Sequence, residues 1–167
     1  MTGNLEAFAR TVIVGNGGSG KSWLAQRLAA ALSASTVDLD EIHWLPGGFN
    51  ARREPSIAIE MVRAKAAEDR WVIEGVYGWL ANVALSRATS LIWLDIPIEE
   101  CIANVKARGL RRGGDDAAFE ALIAFVSDYE TRANANSRSA HEQAFNTFAK
   151  NKVRVATREE MANVLGG

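Results

Sequence analysis

The octapeptide Gly15-Asn16-Gly17-Gly18-Ser19-Gly20-Lys21-Ser22 sets a run of small and polar residues ahead of a lysine and a hydroxyl. Glycine lets a loop turn its N–H groups inward with no side chain in front of them. The spacing G-x-x-x-x-G-K-[ST] is the one at which the amides of such a loop cradle phosphates. In that chemistry Lys21 reaches the β- and γ-phosphates of a nucleotide, and the Ser22 hydroxyl meets Mg²⁺. The nucleotide-contacting stretch then comprises Gly15, Asn16, Gly17, Gly18, Ser19, Gly20, Lys21, Ser22 and Trp23, the last at the head of the following helix. A flexible linker does not explain the segment, because the apolar run Thr11–Gly15 precedes it and a helix-period run, Lys21–Ser33, follows. The opening of that helix adds unpaired donors and the positive end of a dipole.

Three further groups could act on a phosphoryl group. Val37-Asp38-Leu39-Asp40 closes the second apolar run, Ser35–Asp40. Residues two apart on a strand share a face, so Asp38 and Asp40 are expected to look into one cleft. One would steady the hydration shell of a metal, and the other would orient or deprotonate an acceptor. Helix capping is the competing explanation. Glu74, at the end of Trp71–Gly75, is the first choice for a water-mediated metal contact, with Asp95 of Ser90–Pro97 as its rival. Arg108-Gly109-Leu110-Arg111-Arg112-Gly113-Gly114 holds three arginines among glycine hinges. A flap of that kind brings cations onto the charge that spreads over a transferring phosphoryl group; an ordinary solvated basic loop is the alternative. The catalytic set on this reading is Lys21, Asp38, Asp40, Arg108, Arg111 and Arg112, with Ser22, Asp38 and Glu74 on the metal. Cys101 reads as core, and His141 as a surface polar residue with no assigned role.

The elements that must position these groups alternate. Strands at Thr11–Gly15, Ser35–Asp40, Trp71–Gly75, Ser90–Pro97 and Lys152–Thr157 are separated by helices at Lys21–Ser33, Glu54–Asp69, Gly78–Leu85, Ile98–Arg108, Ala117–Arg132 and Ala140–Lys150, and Arg158–Leu165 follows the last strand. Short apolar strands separated by helices predict an α/β fold, a parallel sheet covered on both faces, with ligands beyond the carboxyl ends of the strands. The 167 residues, 48% hydrophobic, suffice for one domain spanning 1–167, its flap at about 108–118. A net charge of −1 argues against partners gripped by charge alone, such as nucleic acid or an anionic membrane. No run approaches the roughly 18 apolar residues of a membrane span, and a single cysteine forms no internal disulfide. The expectation is a cytoplasmic protein, a monomer or weak homodimer, whose partners are a nucleotide and a small-molecule acceptor. A guanine-reading N-K-x-D is absent; Asn151-Lys152-Val153-Arg154 lacks the aspartate.

In order along the chain, GNGGSGKS, DLDEIHWLPGG, WVIEGVY, LIWLDIP and RGLRRGG resemble the P-loop kinases of small molecules, the nucleoside-monophosphate and shikimate kinase superfamily. Within it the chain looks similar to adenylate-kinase-like proteins labelled DNA topology modulation proteins. The resemblance implies a three-layer αβα fold with a five-stranded parallel sheet of order 2-3-1-4-5 and a short lid. It implies ATP and Mg²⁺ as cofactors, and an adenine-cradling loop at Val155-Ala156-Thr157-Arg158, which adds Thr157 to the nucleotide contacts along with Arg108 and Arg112. Arg132 falls near a further phosphate-binding position. The acceptor pocket would be built by His43–Arg53 and Gly75–Leu80. The activity so implied is transfer of the γ-phosphoryl of ATP to a nucleoside monophosphate or a small-molecule hydroxyl. The alternative is a nucleotide-binding regulator with weak ATPase activity.

Overall fold

A computed structural model of the chain describes residues 4–47, 51–111 and 113–166. Strands β1 (Arg10–Gly15), β2 (Ser35–Asp38), β3 (Trp71–Gly75), β4 (Ser90–Leu94) and β5 (Asn151–Val155) form one sheet of order β2-β3-β1-β4-β5. Every pairing is parallel, as expected of strands joined by helical crossovers. The helices are α1 (Lys21–Leu32), α2 (Leu39–His43), α3 (Pro55–Ala66), α4 (Gly78–Leu85), α5 (Ile98–Arg108), α6 (Asp116–Ser127), α7 (Arg138–Thr147) and α8 (Arg158–Asn163).

Strand pleating divides the core in two. Val12, Val14, Trp71, Ile73, Leu91 and Trp93 point to one face, where α3, α4 and α7 cover them. Ile13, Val72, Ile92 and Leu94 point to the other, against Leu24 and Leu28 of α1, Val105 of α5 and Val126 of α6. The two central partners of β1 are buried at every position, and this explains why they read as continuous apolar runs rather than alternating ones. Edge strand β5 buries only Val155 and holds Lys152 and Arg154 outward, charges that discourage pairing with another sheet edge.

Several elements stop earlier than the sequence pattern predicts, and polar side chains account for two of the stops. β2 ends at Asp38, because the Asp38 carboxylate accepts from the Asp40 N–H at 2.9 Å and opens α2. β5 ends at Val155, because the Thr157 hydroxyl accepts from the Glu160 N–H at 3.1 Å and opens α8. Caps of this type contribute about 1 kcal/mol each. The segment predicted as one helix to Arg132 is α6 followed by a 3₁₀ turn, Asp128–Glu130.

His141 is not at the surface; it is 1% exposed. Its Nε2 donates to the Val76 carbonyl at 2.9 Å, which leaves Nδ1 to accept from the Tyr129 hydroxyl at 2.7 Å. The Trp93 indole in turn donates to Tyr129 at 3.3 Å. The imidazole is thus held neutral, and burial lowers its pKa to about 4. The β1–α1 loop is packed as tightly. Gly18 has φ +76°, and a Cβ there would lie 2.3 Å from the Cys101 carbonyl oxygen.

Two outcomes follow from this packing. Protonating His141 costs the fold stability below the imidazole's unfolded pKa of about 6.5. The stability advantage of the native chain over His141→Gln should therefore be full above pH 6.5 and shrink by about 3 kcal/mol as the pH falls to 4. Urea titrations at each pH measure it. The comparison must be a difference, because buried Glu74, its pKa raised, works in the opposite sense. Gly18→Ala combines backbone strain with a clash against main chain, and should cost about 2–4 kcal/mol in the same assay.

Candidate active site

The carboxyl ends of β1, β2 and β3 open onto a cleft of about 1240 Å³. Its floor is the β1–α1 loop. The side chain of Asn16 accepts from the Gly17 N–H at 2.8 Å and donates to the Val126 carbonyl at 2.9 Å, bracing the loop from α6. Asn104 of α5 donates to the Gly18 carbonyl at 2.8 Å, and itself accepts from Arg158 at the start of α8. Asn104 thus holds the Gly18 carbonyl from behind, while the Asn16 carbonyl is taken up within the loop by the Ser19 hydroxyl and Lys21. Gly17, Gly18, Gly20, Lys21 and Ser22 line the cleft, whereas Gly15, Asn16 and Ser19 stand behind them.

The reactive side chains meet over this floor. Lys21 is buried, and its Nζ donates to the Asn16 carbonyl at 2.6 Å. The Ser22 hydroxyl donates to Glu74 at 2.7 Å and accepts from Arg111 at 2.8 Å. Of the two rival acids, Glu74 is therefore the one beside the loop. Asp95 lies elsewhere, held by Arg138 at 2.9 Å and by Arg154. Burial alone would raise the Asp95 pKa, but those two guanidiniums bring it below the ordinary carboxylate range. Asp38 and Asp40 both line the cleft. They share it because α2 begins between them, and strand alternation plays no part. Gly75 lets this corner close up: a Cβ there would meet Leu39 at 2.6 Å.

The charges are crowded. Burial pushes the Lys21 pKa down, opposed by Glu74 and Asp40. Burial pushes the Glu74 pKa up, against the pull of Lys21. The Arg108 pKa is lowered by burial and then by neighbouring Arg111. Lys21, Arg108 and Arg111 face the same cleft as Arg52 and Arg53 and as the carboxylates of Asp38, Asp40, Glu41, Glu54 and Glu74. For a metal, Ser22, Glu74, Asp38 and Asp40 supply oxygen only, and among the described residues no three His, Cys, Asp or Glu side chains form a ready-made cage. Mg²⁺ suits such a set, since it keeps several waters and takes one or two carboxylates plus substrate phosphates.

Other residues singled out in the sequence fall as follows. Arg108 and Arg111 line the cleft; Arg112 lies outside the described residues. Trp23 does not line it: the ring is 42% exposed and carries the Arg27 guanidinium 4.2 Å from its centroid. Thr157 is committed to capping α8. Arg132 donates to the Phe125 and Asn136 carbonyls, both at 2.9 Å, and lies over the Phe125 ring. Cys101 is wholly buried. The far end of the cleft is lined by His43, Trp44, Arg52, Arg53, Tyr77 and Trp79, from the two segments expected to form an acceptor pocket. Sequence reasoning missed Asn104, Asn134 and Asn136. The last two also line the cleft, and the only signal of them is a pair of asparagines two apart in the polar stretch before α7.

No family model matches the chain. Over 148 residues it is 31% identical to the shikimate kinase of Corynebacterium glutamicum, a match spanning 75% of this chain and 88% of that one. Among solved structures, a shikimate kinase from Bacteroides thetaiotaomicron covers 95% of this chain and 94% of its own, with TM-score 0.56 and 16% identity. A gluconokinase from Sinorhizobium meliloti covers 95% and 89%, with TM-score 0.53 and 14% identity. The structural likeness shows the fold, the sequence relative shows the lineage, and the chain belongs to the shikimate kinase family of P-loop small-molecule kinases.

Proposed function

We propose that this kinase-family protein transfers the γ-phosphoryl of ATP to a small acceptor bound at the far end of the cleft. The observation that carries the reading is the meeting of Lys21, Ser22, Glu74 and Arg111 on the glycine loop, with two further carboxylates in the same cleft. A regulator that only binds nucleotide needs no acceptor-side acid such as Asp40.

The roles follow from chemistry. Loop amides and Lys21 hold the β- and γ-phosphates; Lys21 exchanges its bond to the Asn16 carbonyl for phosphate oxygen. Ser22, Asp38 and Glu74 would hold Mg²⁺, which would neutralise charge on the phosphates. Asp40 orients the acceptor group and, where that group is a hydroxyl, takes its proton. The acceptor oxygen bonds to the γ-phosphorus as the bond to the β–γ bridging oxygen breaks, and ADP leaves. Arg108, at the end of α5, and Arg111, in the loop that follows, offset the charge on the transferring group.

Asp40→Asn should lower turnover about 10²–10⁴-fold while the Kd for MgATP stays within about twofold. Lys21→Ala should abolish MgATP binding in calorimetry. Turnover untouched by Asp40→Asn, or ADP release absent with every acceptor despite tight MgATP binding, would refute the phosphotransferase reading.

A further inference from the structure

Where β3 leaves the sheet, its chain turns along the cleft. The ladder with β2 ends at Glu74 and the ladder with β1 at Gly75, so strand pairing fixes Glu74 from both sides but not the two residues beyond Gly75. Val76 and Tyr77 are buried, and both line the cleft. The partner that meets the Val76 carbonyl is Nε2 of His141, from α7, at 2.9 Å. Gly78, next in sequence, lies against the loop that leads to α7: a Cβ there would fall 2.1 Å from the Ala135 carbonyl oxygen.

Tyr77 carries the wall at the acceptor end. Its ring stacks on His43, with centroids 4.0 Å apart and planes 14° from parallel. Its hydroxyl accepts from the Trp44 indole at 2.9 Å. The charged residues at that end are tied to the same rings. Arg52 pairs with Trp44 in an antiparallel bridge, its guanidinium 5.9 Å from the ring centroid. Arg53 donates its main-chain N–H to the His43 carbonyl at 2.8 Å.

His141 is held to one tautomer and one orientation at this turn. A carbonyl only accepts, so Nε2 carries the proton, and Nδ1 accepts from the Tyr129 hydroxyl at 2.7 Å. The Trp93 indole fixes that hydroxyl in turn. A buried carbonyl that loses its donor is costly, and a shift of the turn is the nearest relief. Any shift of Val76 carries Tyr77 with it, and so moves the rings of His43 and Trp44, while Glu74 stays in its ladders.

Resting on the phosphotransferase reading above, we infer that His141 is a positioning residue for the acceptor. Through its bond to Val76 it sets where Tyr77 and the wall resting on Tyr77 stand, and the nucleotide half of the cleft is independent of it.

Two amide replacements separate this role from simple packing. The Gln side chain brings its amide to the place of Nε2 and keeps a donor for Val76, whereas the Asn amide reaches only the place of Nδ1. ADP release by the full chain with MgATP is measured with shikimate, gluconate and AMP, and the acceptor that gives turnover is carried to the variants. His141→Asn should raise the KM for that acceptor about tenfold with the Kd for MgATP within about twofold, and His141→Gln should bring the KM back to within about threefold of the native chain. Hydrogen exchange of the Trp44 indole N–H, assigned with Trp44→Phe, reads the wall without any acceptor and should be about tenfold faster in His141→Asn than in the native chain or His141→Gln. Should His141→Asn fail to fold, Tyr129→Phe, which releases the imidazole on one side, takes its place and should move both readouts the same way by about threefold. An acceptor KM or an indole exchange rate that ignores the variant, or that moves equally in the Asn and Gln forms, would overturn the inference and leave the phosphotransferase reading standing. A Kd for MgATP that rises along with the KM also overturns it. Absence of ADP release with all three acceptors would overturn both.

Discussion

Backbone amides can face an anion only if something else holds their loop open. Left alone, a run rich in glycine loses more conformational entropy on ordering than any other sequence. In this chain the order comes from behind. Gly18 is pressed against the main chain of α5, Asn104 holds its carbonyl, and Asn16 reaches to α6. These contacts fix the loop from α5 and α6. The rest of the molecule can be read as the framework for this: a parallel sheet that ends at one level, and two helices close enough to clamp the loop where it leaves β1.

The same geometry sets the electrostatics. Burying the Lys21 ammonium and the Glu74 carboxyl is unfavourable, and their displaced pKa values record it, whereas Arg108 and Arg111 stay exposed to water. In the proposed function, the phosphates of a nucleotide offset that cost. Hydrogen bonds join Lys21 to Asn16 and Ser22 to Glu74 and Arg111, and they restrict these side chains.

Much of this was legible from residue types alone. The glycine loop is recognisable because its chemistry depends on local spacing, and β1, β3 and β4 because continuous burial leaves continuous apolar runs. The carboxylate pair was legible for a partly mistaken reason. Asp38 and Asp40 do share a cleft, but a helix start brings them there, and a strand-period argument cannot see a cap that depends on one side chain folding back. His141 was misplaced because a lone histidine in a polar helix has no periodic signature; its burial depends on Tyr129 and Val76, from other parts of the chain. Asn134 and Asn136 were obscure for the same reason, since only the fold brings the loop before α7 against the cleft. Local chemistry writes itself into short motifs, and chemistry assembled across the sheet does not.

Gly20, at the mouth of the loop, has Met161 of α8 as its close neighbour, a Cβ on the glycine falling 3.0 Å from that side chain. Arg158 of the same helix reaches Asn104 and so, at one remove, Gly18. The loop that follows β1 is therefore braced by the helix that follows β5, so its shape depends on the whole sheet being assembled.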